Sequence, residues 1–565
     1  MNQTAPESRP LLRLLRPAAK PLVVAAVLQI CAAAVSVIPY LAILRLSKAL
    51  LSSPPDPGAA WLQVGWFLGA VGLQALLASL ALLLTHFADV ELQAKLRRDL
   101  TDTLGQLPLG WFDDAGSARV RQCIQNDVDL LHHLVAHSVV EGVAAVFTPL
   151  AGVLFCFWVD WRMGLISLAP MALYFVLYSA LSRGDMREIM AQISDGLARV
   201  SAAIVDYVGG VAVLKVFGRG GEGSAQFNRA SREFQKNFSA LVGPPMKAQS
   251  IALLALAGPM VALLCLGFGS WFSHAGWVEP GEILVTTIVA LLLPSTLYYT
   301  VASANQARSD SLEAAVRITA LLDEPPLPQP EQPVAPEGHD VVIEGVTFSY
   351  APGRQALEDV SLRVPEGGTL ALVGRSGAGK STLASLVARF RDVDSGSIRI
   401  GGVDVREMSS ETLRRTVGIV LQDVQLPSLS IADNIRLGSP AAKDEEVYAA
   451  AQTAKIHDRI LALPRGYDSV IGEDARLSGG EAQRVAIART LLMDTPVLLL
   501  DEATSATDPE SEVEIQQAIA RLTQGRTVLV VAHRLSTIVD LDAIAVLENG
   551  RVAEYGPHDQ LLARG

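Results

Sequence analysis

The stretch GRSGAGKS, Gly374 to Ser381, follows the apolar segment TLALV and opens a helical pattern. A strand, a glycine-rich loop and a helix in this order form a P-loop, whose backbone wraps closely around phosphates. Lys380 is placed to reach the terminal phosphates, and the Ser381 hydroxyl can bind Mg²⁺. The stretch therefore predicts a phosphate-binding site in a domain of alternating strands and helices.

The segment VLLLDEATSATD supplies the second half of such a site. Val497 to Leu500 form a predicted strand, Asp501 at its end suits the Mg²⁺ shell, and Glu502 can polarise an attacking water. Two carboxylates that merely cap a strand end are the alternative. His533 ends the strand pattern TVLVVAH and could contact the γ-phosphate or its water, although a lone histidine is more often structural.

A second phosphate cradle follows in ARLSGGEAQR, Ala475 to Arg484. Its Ser-Gly-Gly run opens a predicted helix, where backbone N–H groups and the helix dipole favour an anion. This cradle has no lysine on a preceding strand. One chain thus carries two sites that favour phosphate.

Length and composition bound the rest of the chain. A chain of 565 residues is too long for one core, so we expect two or more domains. Half of its residues are hydrophobic and 18% are charged, which is too apolar for an ordinary soluble protein. The net charge of −12 argues against nucleic acid as a partner. The four cysteines show no metal or disulfide spacing, which favours small buried hydrophobes.

Six long stretches in the first half are nearly free of charge, and each is close to the length of a membrane-spanning helix. Buried helices of a large soluble core are the alternative. No cleavable signal peptide is expected before them. The long loops between them are rich in Lys and Arg, so the positive-inside rule places these loops, both termini and the second half in the cytoplasm. The stretches are residues 21–44, 61–85, 139–158, 163–181, 250–272 and 283–304.

The composition changes after Leu322. Residues 323–340 form a Pro-rich linker in which no helix can persist. Short Val/Ile/Leu strands then alternate with helical patterns, as in a parallel sheet. The predicted fold is an α-helical six-span transmembrane domain followed by a soluble α/β P-loop domain. Its predicted parts are residues 1–20, a cytoplasmic N-terminal segment; 21–322, the six-helix domain; 323–340, the linker; and 341–565, the nucleotide-binding domain.

These motifs, in this order, resemble those of an ATP-binding cassette (ABC) domain. The membrane half resembles the exporter-type (type IV) transmembrane domain: LPLGWFDDAGSARV resembles its first coupling segment, and VGGVAVLKVFGR its second. The resemblance implies ATP and Mg²⁺ as cofactors, Tyr350 stacking on adenine, Gln422 touching Mg²⁺ with Ser381 and Asp501, and Asp508 in the D-loop. The implied ATP-binding residues are Tyr350, Gly374, Arg375, Ser376, Gly377, Ala378, Gly379, Lys380, Ser381, Thr382 and Gln422, and the implied catalytic residues are Glu502 and His533.

In this family two cassettes pair head to tail, so the second cradle would hold the γ-phosphate of the partner's ATP. This signature segment comprises Leu477, Ser478, Gly479, Gly480 and Glu481. With one cassette and six predicted spans, the resemblance implies a half-transporter, an ATP hydrolase coupled to transport in the bacterial inner (cytoplasmic) membrane. A second half-transporter completes the dimer; a different chain is favoured, and an identical one is the alternative.

The chain departs from the family pattern at several positions. The signature usually ends in Gln, but here it ends in Glu481. Thr507 replaces the usual Leu of the D-loop, and Pro427 stands where an aromatic residue is common. The run between Gly472 and the signature is slightly short, which puts details of cassette–membrane coupling in doubt. No departure removes a Mg²⁺ ligand or the catalytic carboxylate.

The cargo is less defined than the ATP site. The polar residues expected to line a cavity are Gln29, Gln74, Tyr174, Tyr178, Tyr298, Tyr299 and Asn305, with Tyr anchoring at the membrane interface as the alternative. The Glu-ending signature and VLQDVQL resemble exporter-folded siderophore importers of the yersiniabactin and mycobactin type. This implies inward movement of a ferric siderophore, with no iron-ligating His/Cys/Asp cluster expected in the spans. The alternatives are an exporter of drugs, lipids or peptides and, less favoured, a nucleotide-gated channel.

Overall fold

The computed structural model describes residues 9–181, 186–217, 220–351, 353–421, 424–501, 509–532 and 538–564. The chain divides into two compact units. One comprises Met1–Thr101 and Arg121–Asp323, and the other comprises Asp102–Val120 and Glu324–Gly565. A short segment from the N-terminal half therefore belongs to the unit that contains the C-terminal half.

Helices account for nearly all of the described N-terminal half. Short π-helical turns at Gln122–Asp127 and His133–Ser138 interrupt them, and Gly116, with φ +68°, kinks the fifth helix. The helices are α1 Arg9–Leu15, α2 Ala19–Val35, α3 Val37–Leu51, α4 Pro57–Gln106, α5 Leu109–Arg121, α6 Val128–His132, α7 Val139–Val159, α8 Trp161–Leu181, α9 Met186–Val216, α10 Gly220–Leu253, α11 Gly258–His274 and α12 Pro280–Leu322.

Within the described residues, six helical segments are long and apolar enough to cross a membrane: Pro10–Leu51, Pro57–Gln106, Gly116–Val159, Trp161–Leu181, Glu188–Val216 and Phe227–His274. Five of them contain the first five predicted spans. The sixth predicted span lies in α12, of which Pro280–Pro294 is described as a shorter apolar helix. Glu188–Val216, the least apolar of the six, falls in a stretch that the sequence analysis assigns to a cytoplasmic loop. The second part of its helix carries few charged residues, so the segment meets the length and composition criteria for a membrane span.

Two sheets form the C-terminal half. The first is antiparallel, in the order β2-β1-β4-β5; the second, in the order β10-β9-β3-β8-β7-β6, is parallel apart from its edge strand β10. The strands are β1 Val341–Ala351, β2 Arg354–Val364, β3 Thr369–Val373, β4 Ser395–Ile400, β5 Val403–Asp404, β6 Val417–Val420, β7 Val497–Asp501, β8 Thr527–Val531, β9 Ala543–Glu548 and β10 Arg551–Gly556.

Helices cover both faces of the parallel sheet. Alternate residues of β7 divide between the two sides: Leu499 packs into the core that contains Leu383 of α13, whereas Leu498 and Leu500 pack into the core that contains Val485 of α18. The helices of this half are α13 Lys380–Val387, α14 Ser410–Thr416, α15 Ile431–Arg436, α16 Asp444–Thr453, α17 His457–Leu461, α18 Gly479–Met493, α19 Pro509–Thr523 and α20 His558–Arg564. The predicted fold class, apolar helices followed by an α/β domain, is confirmed.

Candidate nucleotide site

The glycine-rich loop begins where the buried strand β3 ends. A Cβ on Gly374, which has φ +154°, would overlap the carbonyl oxygen of Leu547. A Cβ on Gly379, which has φ +99°, would lie 2.6 Å from Cδ2 of Leu357. Only glycine fits both the backbone conformation and the space at these positions. The loop therefore passes close to the neighbouring strands and turns into α13 at Lys380.

Lys380 lies inside this loop. Its side chain is buried, and its Nζ donates hydrogen bonds to the carbonyl oxygens of Gly374 at 2.9 Å and Arg375 at 3.1 Å. A buried ammonium needs such partners, and phosphate oxygens bind it more strongly because they carry charge. The loop thus holds the ammonium where a phosphate can take the place of its carbonyl partners.

Ser381 and Asp501 meet at the carboxyl edge of the parallel sheet. Ser381, in the first turn of α13, donates a hydrogen bond from Oγ to Oδ1 of Asp501 at 3.3 Å. Asp501 ends β7, and one strand, β8, separates β7 from β3. A hydroxyl and a carboxylate are the oxygen ligands that Mg²⁺ accepts beside phosphates and waters. The donor set therefore fits a Mg²⁺ ion carried by a nucleotide.

A cavity of about 490 Å³ opens beside the loop. At its rim Tyr350 is 41% exposed, and its hydroxyl lies 3.0 Å from Oγ1 of Thr382. The Phe348 ring packs edge-on against it at 5.1 Å between centroids. An exposed ring held in this way offers a planar base a stacking surface. The cavity residues are Tyr350, Arg354, Gln355, Ala356, Ser376, Gly377, Gly379, Lys380, Ser381 and Thr382.

Three of these cavity residues, Arg354, Gln355 and Ala356, are missed by the sequence motifs. They begin β2, which pairs with β1 in an antiparallel hairpin, so the hairpin brings them beside Tyr350. Their only sequence signal is their position directly after the strand that carries the aromatic residue.

The second cradle caps the N-terminus of α18. Ser478 is the N-cap residue: its Oγ accepts from the backbone N–H of Glu481 at 3.3 Å, and the Glu481 carboxylate accepts from the backbone N–H of Ser478 at 2.8 Å. The preceding Leu477 packs against the hydrophobic core that contains Val485 of α18. None of these residues is among the described residues that line the cavity. The chain therefore presents this helix end outside its own cavity.

Several predicted site residues lie outside the described part of the chain. They are Gln422, Glu502, Asp508 and His533. Their roles stay predictions that rest on the motifs. Thr507, one of the departures from the family pattern, lies in the same undescribed stretch.

The segment Asp102–Val120 contacts the C-terminal half next to the cavity. Gly110 donates its N–H to the carbonyl oxygen of Phe390 at 3.1 Å, and Nη2 of Arg391 donates to the carbonyl oxygen of Gly110. The Arg391 guanidinium carbon also lies 5.4 Å from the centre of the Tyr350 ring. One side chain thus links the backbone of this segment to the exposed ring at the cavity rim.

The predicted cargo-lining residues are only partly described. Gln29 is buried, and its Oε1 has no hydrogen-bond partner among the described residues. Gln74 is half-buried, and the rings of Tyr174 and Tyr178 stack with centroids 5.9 Å apart. The side chains of Tyr298, Tyr299 and Asn305 lie outside the described part.

A histidine cluster lies beside a buried carboxylate in the helical unit. The ring of His137 lies 4.9 Å from that of His86 and 5.5 Å from that of His132. Asp89, which is 1% exposed, bonds Nδ1 of His132 through Oδ2 at 2.6 Å. The described residues contain no group of three or more His, Cys, Asp or Glu side chains placed to hold a metal ion. No sequence motif predicts this cluster, although the HHLVAH run at residues 132–137 contains part of it.

Two protein-family comparisons match the two halves separately. The family described as "ABC transporter transmembrane region" matches residues 22–296, and the family described as "ABC transporter" matches residues 357–505. The first match contains nearly all of the first five predicted spans and part of the sixth, and the second contains the glycine-rich loop and the α18 cap.

Similar proteins of known name cover nearly the whole chain. The "Mycobactin import ATP-binding/permease protein IrtA" of Mycolicibacterium smegmatis is 40% identical over 556 residues, which are 97% of this chain and 64% of that protein. The protein of the same name from Mycobacterium tuberculosis is 39% identical over 98% of this chain and 64% of its own length. The chain therefore spans less than two thirds of these relatives. The "ATP-dependent lipid A-core flippase" of Thiobacillus denitrificans is 38% identical over 83% of this chain and 81% of its own length.

Proposed function

Because the chain belongs to the ABC transporter family, we propose that it uses ATP hydrolysis to move a small molecule across the membrane as one half of a dimer. The chain is an integral protein of the bacterial inner (cytoplasmic) membrane, with its cassette in the cytoplasm. The observation that carries the proposal is the cavity at the glycine-rich loop, where Lys380, Ser381 and Asp501 converge.

The described residues bind and orient the nucleotide. Tyr350 provides a ring for adenine, the loop N–H groups surround the phosphates, and the Lys380 ammonium moves from loop carbonyls to phosphate oxygens. Ser381 and Asp501 would hold Mg²⁺, which neutralises phosphate charge when bound. Glu502 would accept a proton from the attacking water, and His533 would contact the γ-phosphate or its water.

The second cradle completes a site on another chain. Ser478, Gly479 and Gly480 present a hydroxyl and helix N–H groups that can donate hydrogen bonds to an anion. They do not line this chain's own described cavity, which supports the proposal that they serve a P-loop on the partner. Two ATP sites, each shared between chains, follow for the dimer. We favour a partner of different sequence.

For the cargo we propose a ferric siderophore moved inward. Two relatives at 39–40% identity are named for mycobactin import, and they align with nearly all of this chain. Aromatic and amide groups such as Tyr174, Tyr178 and Gln29 suit an amphipathic chelate, because rings stack on it and amides bond its edges. The exporter-type scaffold allows import, since direction depends on which state binds cargo more tightly.

Export of lipids, drugs or peptides is the second candidate. A lipid flippase at 38% identity and a "Putative multidrug export ATP-binding/permease protein" of Bacillus subtilis at 34% both align over 81% of their own lengths. The chain matches a larger share of these proteins than of the mycobactin importers. Direct measurement of transport separates the two candidates.

The test uses the transporter, with the partner it co-purifies with, in vesicles whose cassettes face outward. The lumen is preloaded with iron-labelled ferric mycobactin, and ATP is added outside. ATP-dependent release toward the cassettes is expected, and Glu502→Gln should stop it. Accumulation of the chelate in the lumen on addition of ATP would mean export and would overturn the cargo proposal.

A further inference from the structure

The signature segment carries a carboxylate where its family has an amide. The Glu481 side chain folds back along the N-terminus of α18, and its Oε2 accepts from the N–H of Ser478. Because Oγ of Ser478 accepts from the N–H of Glu481, the hydroxyl hydrogen stays available to donate elsewhere. The cap thus turns the serine hydroxyl into a donor for an anion at the helix end.

Arg459 holds the other oxygen of this carboxylate. Its Nε donates to Oε1 of Glu481 at 2.7 Å, and the Glu481 side chain is only 18% exposed. Arg459 lies on α17, which is fixed by the fully buried Ile460 and by a 2.8 Å hydrogen bond between Nδ1 of His457 and the Tyr467 hydroxyl. The backbone of α17 is therefore fixed by packing, and the partly exposed Arg459 guanidinium is held by its bond to Glu481.

The charge of Glu481 has two opposite effects. A carboxylate in the first turn interacts favourably with the positive end of the helix dipole. The same charge repels a phosphate that approaches the helix end, which a glutamine would not do. Arg459 cancels this charge at hydrogen-bond distance, and Arg484 contributes from one turn further along α18.

The lowered pKa of the Glu481 carboxyl is consistent with this pairing of charges. Burial acts to raise the pKa of Glu481, but the Ser478 N–H and the Arg459 guanidinium outweigh it, so the pKa lies below its usual value. The carboxylate therefore stays ionised at neutral pH, and its pairing with Arg459 persists under working conditions.

We propose that Arg459 is a positioning residue for the signature: it neutralises Glu481 and holds it against Ser478, so that the α18 N-terminus can accept the phosphate of an ATP bound by the partner. The proposal rests on the shared sites proposed above. An Arg–Glu pair thus stands where the family usually has a neutral glutamine.

The test is a double-mutant cycle on ATP hydrolysis by the reconstituted transporter. Arg459→Met should raise KM for ATP about tenfold, because an unpaired carboxylate then faces the phosphate. In the Glu481→Gln background, the added Arg459→Met substitution should change KM by less than about twofold, because no charge is left to neutralise. Raising the salt from about 0.05 to 0.5 M should shrink the Arg459→Met defect by screening the repulsion.

Two further variants keep the result interpretable. Arg459→Lys, which keeps the charge, should restore most of the lost affinity and covers the case in which the methionine variant folds poorly. Arg436→Met breaks a pair with Asp433 and Asp444 in the same cassette and should leave KM unchanged. An Arg459→Met defect of equal size in the wild-type and Glu481→Gln backgrounds, or one insensitive to salt, would overturn the role of Arg459.

A separate measurement, independent of the ATPase assays, tests whether the ATP site is shared between chains. Cross-linking between cysteines placed at Ser478 and at the P-loop serine shows which chain's P-loop faces Ser478, and it does not involve Arg459. Cross-links within one chain would overturn the shared site. If cross-links join different chains but the effect of Arg459→Met on KM does not depend on Glu481, only the positioning role is overturned.

Discussion

Lys380 and Glu502 separate two tasks of a nucleotide site, holding ATP and cleaving it. The loop carbonyls already hold the Lys380 ammonium in place, so its removal leaves a buried space lined by oxygen atoms. Glu502 follows Asp501 directly in the chain, and its assigned role is to take a proton from water. Substitutions at the two positions should therefore have different signatures.

Glu502→Gln should lower turnover at least about 100-fold while ATP binding stays intact, because the amide keeps the shape but not the basicity. Lys380→Ala should instead weaken ATP binding itself, about tenfold or more, because a charge-assisted contact is lost. Steady-state ATPase rates and nucleotide titrations on purified transporter measure both. Near-normal hydrolysis by the Glu502→Gln variant would contradict the assignment.

The residue scale is also where sequence motifs are most informative. The P-loop pattern places Lys380 and Ser381 because the loop, the strand before it and the helix after it are contiguous in the chain. The contact between Arg459 and Glu481 joins residues on two helices, and no local pattern marks it. Side-chain pairs of this kind depend on how distant helices pack, which no local sequence pattern reveals.

At the scale of elements, the loop between β3 and α13 is defined by its glycines. Gly379 combines a left-handed backbone with close contacts to Leu357 and to the carbonyl oxygen of Ala356, at 2.8 Å from an added Cβ. Gly525 has a similar φ of +73°, but an added Cβ there meets nothing within 4 Å. Comparing substitutions at Gly379 and Gly525 therefore distinguishes the effect of backbone strain from that of steric crowding.

Gly379→Ala should weaken ATP binding about tenfold or more and lower the unfolding temperature of the protein, because the loop must shift away from β2. The matched variant Gly525→Ala should cost only about 1 kcal/mol of stability and leave ATP binding unchanged. Nucleotide titration and thermal unfolding of both variants provide the comparison. Wild-type ATP affinity in Gly379→Ala would show that the loop tolerates a side chain.

Element prediction succeeded where periodicity was strong and failed where partners are distant. The alternation of short apolar strands with helices predicted the parallel sheet that contains β3, β7 and β8. The antiparallel sheet of β2, β1, β4 and β5 was not predicted as a separate layer. Its strands show the alternation of apolar and polar residues that is common to half-buried strands, and this pattern does not reveal which strands pair. The cluster around His137 was missed because His86 and His132 come from separate helices.

At the scale of the whole molecule, the proposed shared sites imply that one chain's ATP touches another chain's signature. Ser376 lines the cavity, and Ser478 caps α18 outside it. The exposed Cys31 would compete in a cross-linking reaction, whereas the other three cysteines are buried. Cys31→Ser therefore provides the background for the experiment.

A cysteine at Ser478 should cross-link with a cysteine at the P-loop serine of the partner when ATP is bound, because the shared site brings them together. In a transporter made of two copies of this chain, that serine is Ser376. Non-reducing gels of tagged chains report which chains are joined. Products that join the two positions within a single chain would reject the shared site.

The membership of Asp102–Val120 in the C-terminal unit has a consequence for biosynthesis. Arg391 follows its contact Gly110 by 281 residues. At about 5–20 residues per second, the ribosome therefore needs roughly 15 to 55 s to deliver one after the other. During this interval the segment lacks Phe390 and Arg391, which form hydrogen bonds with the Gly110 backbone in the folded protein. The nascent protein thus has a period of exposure in which a chaperone can bind this segment before the cassette exists to cover it.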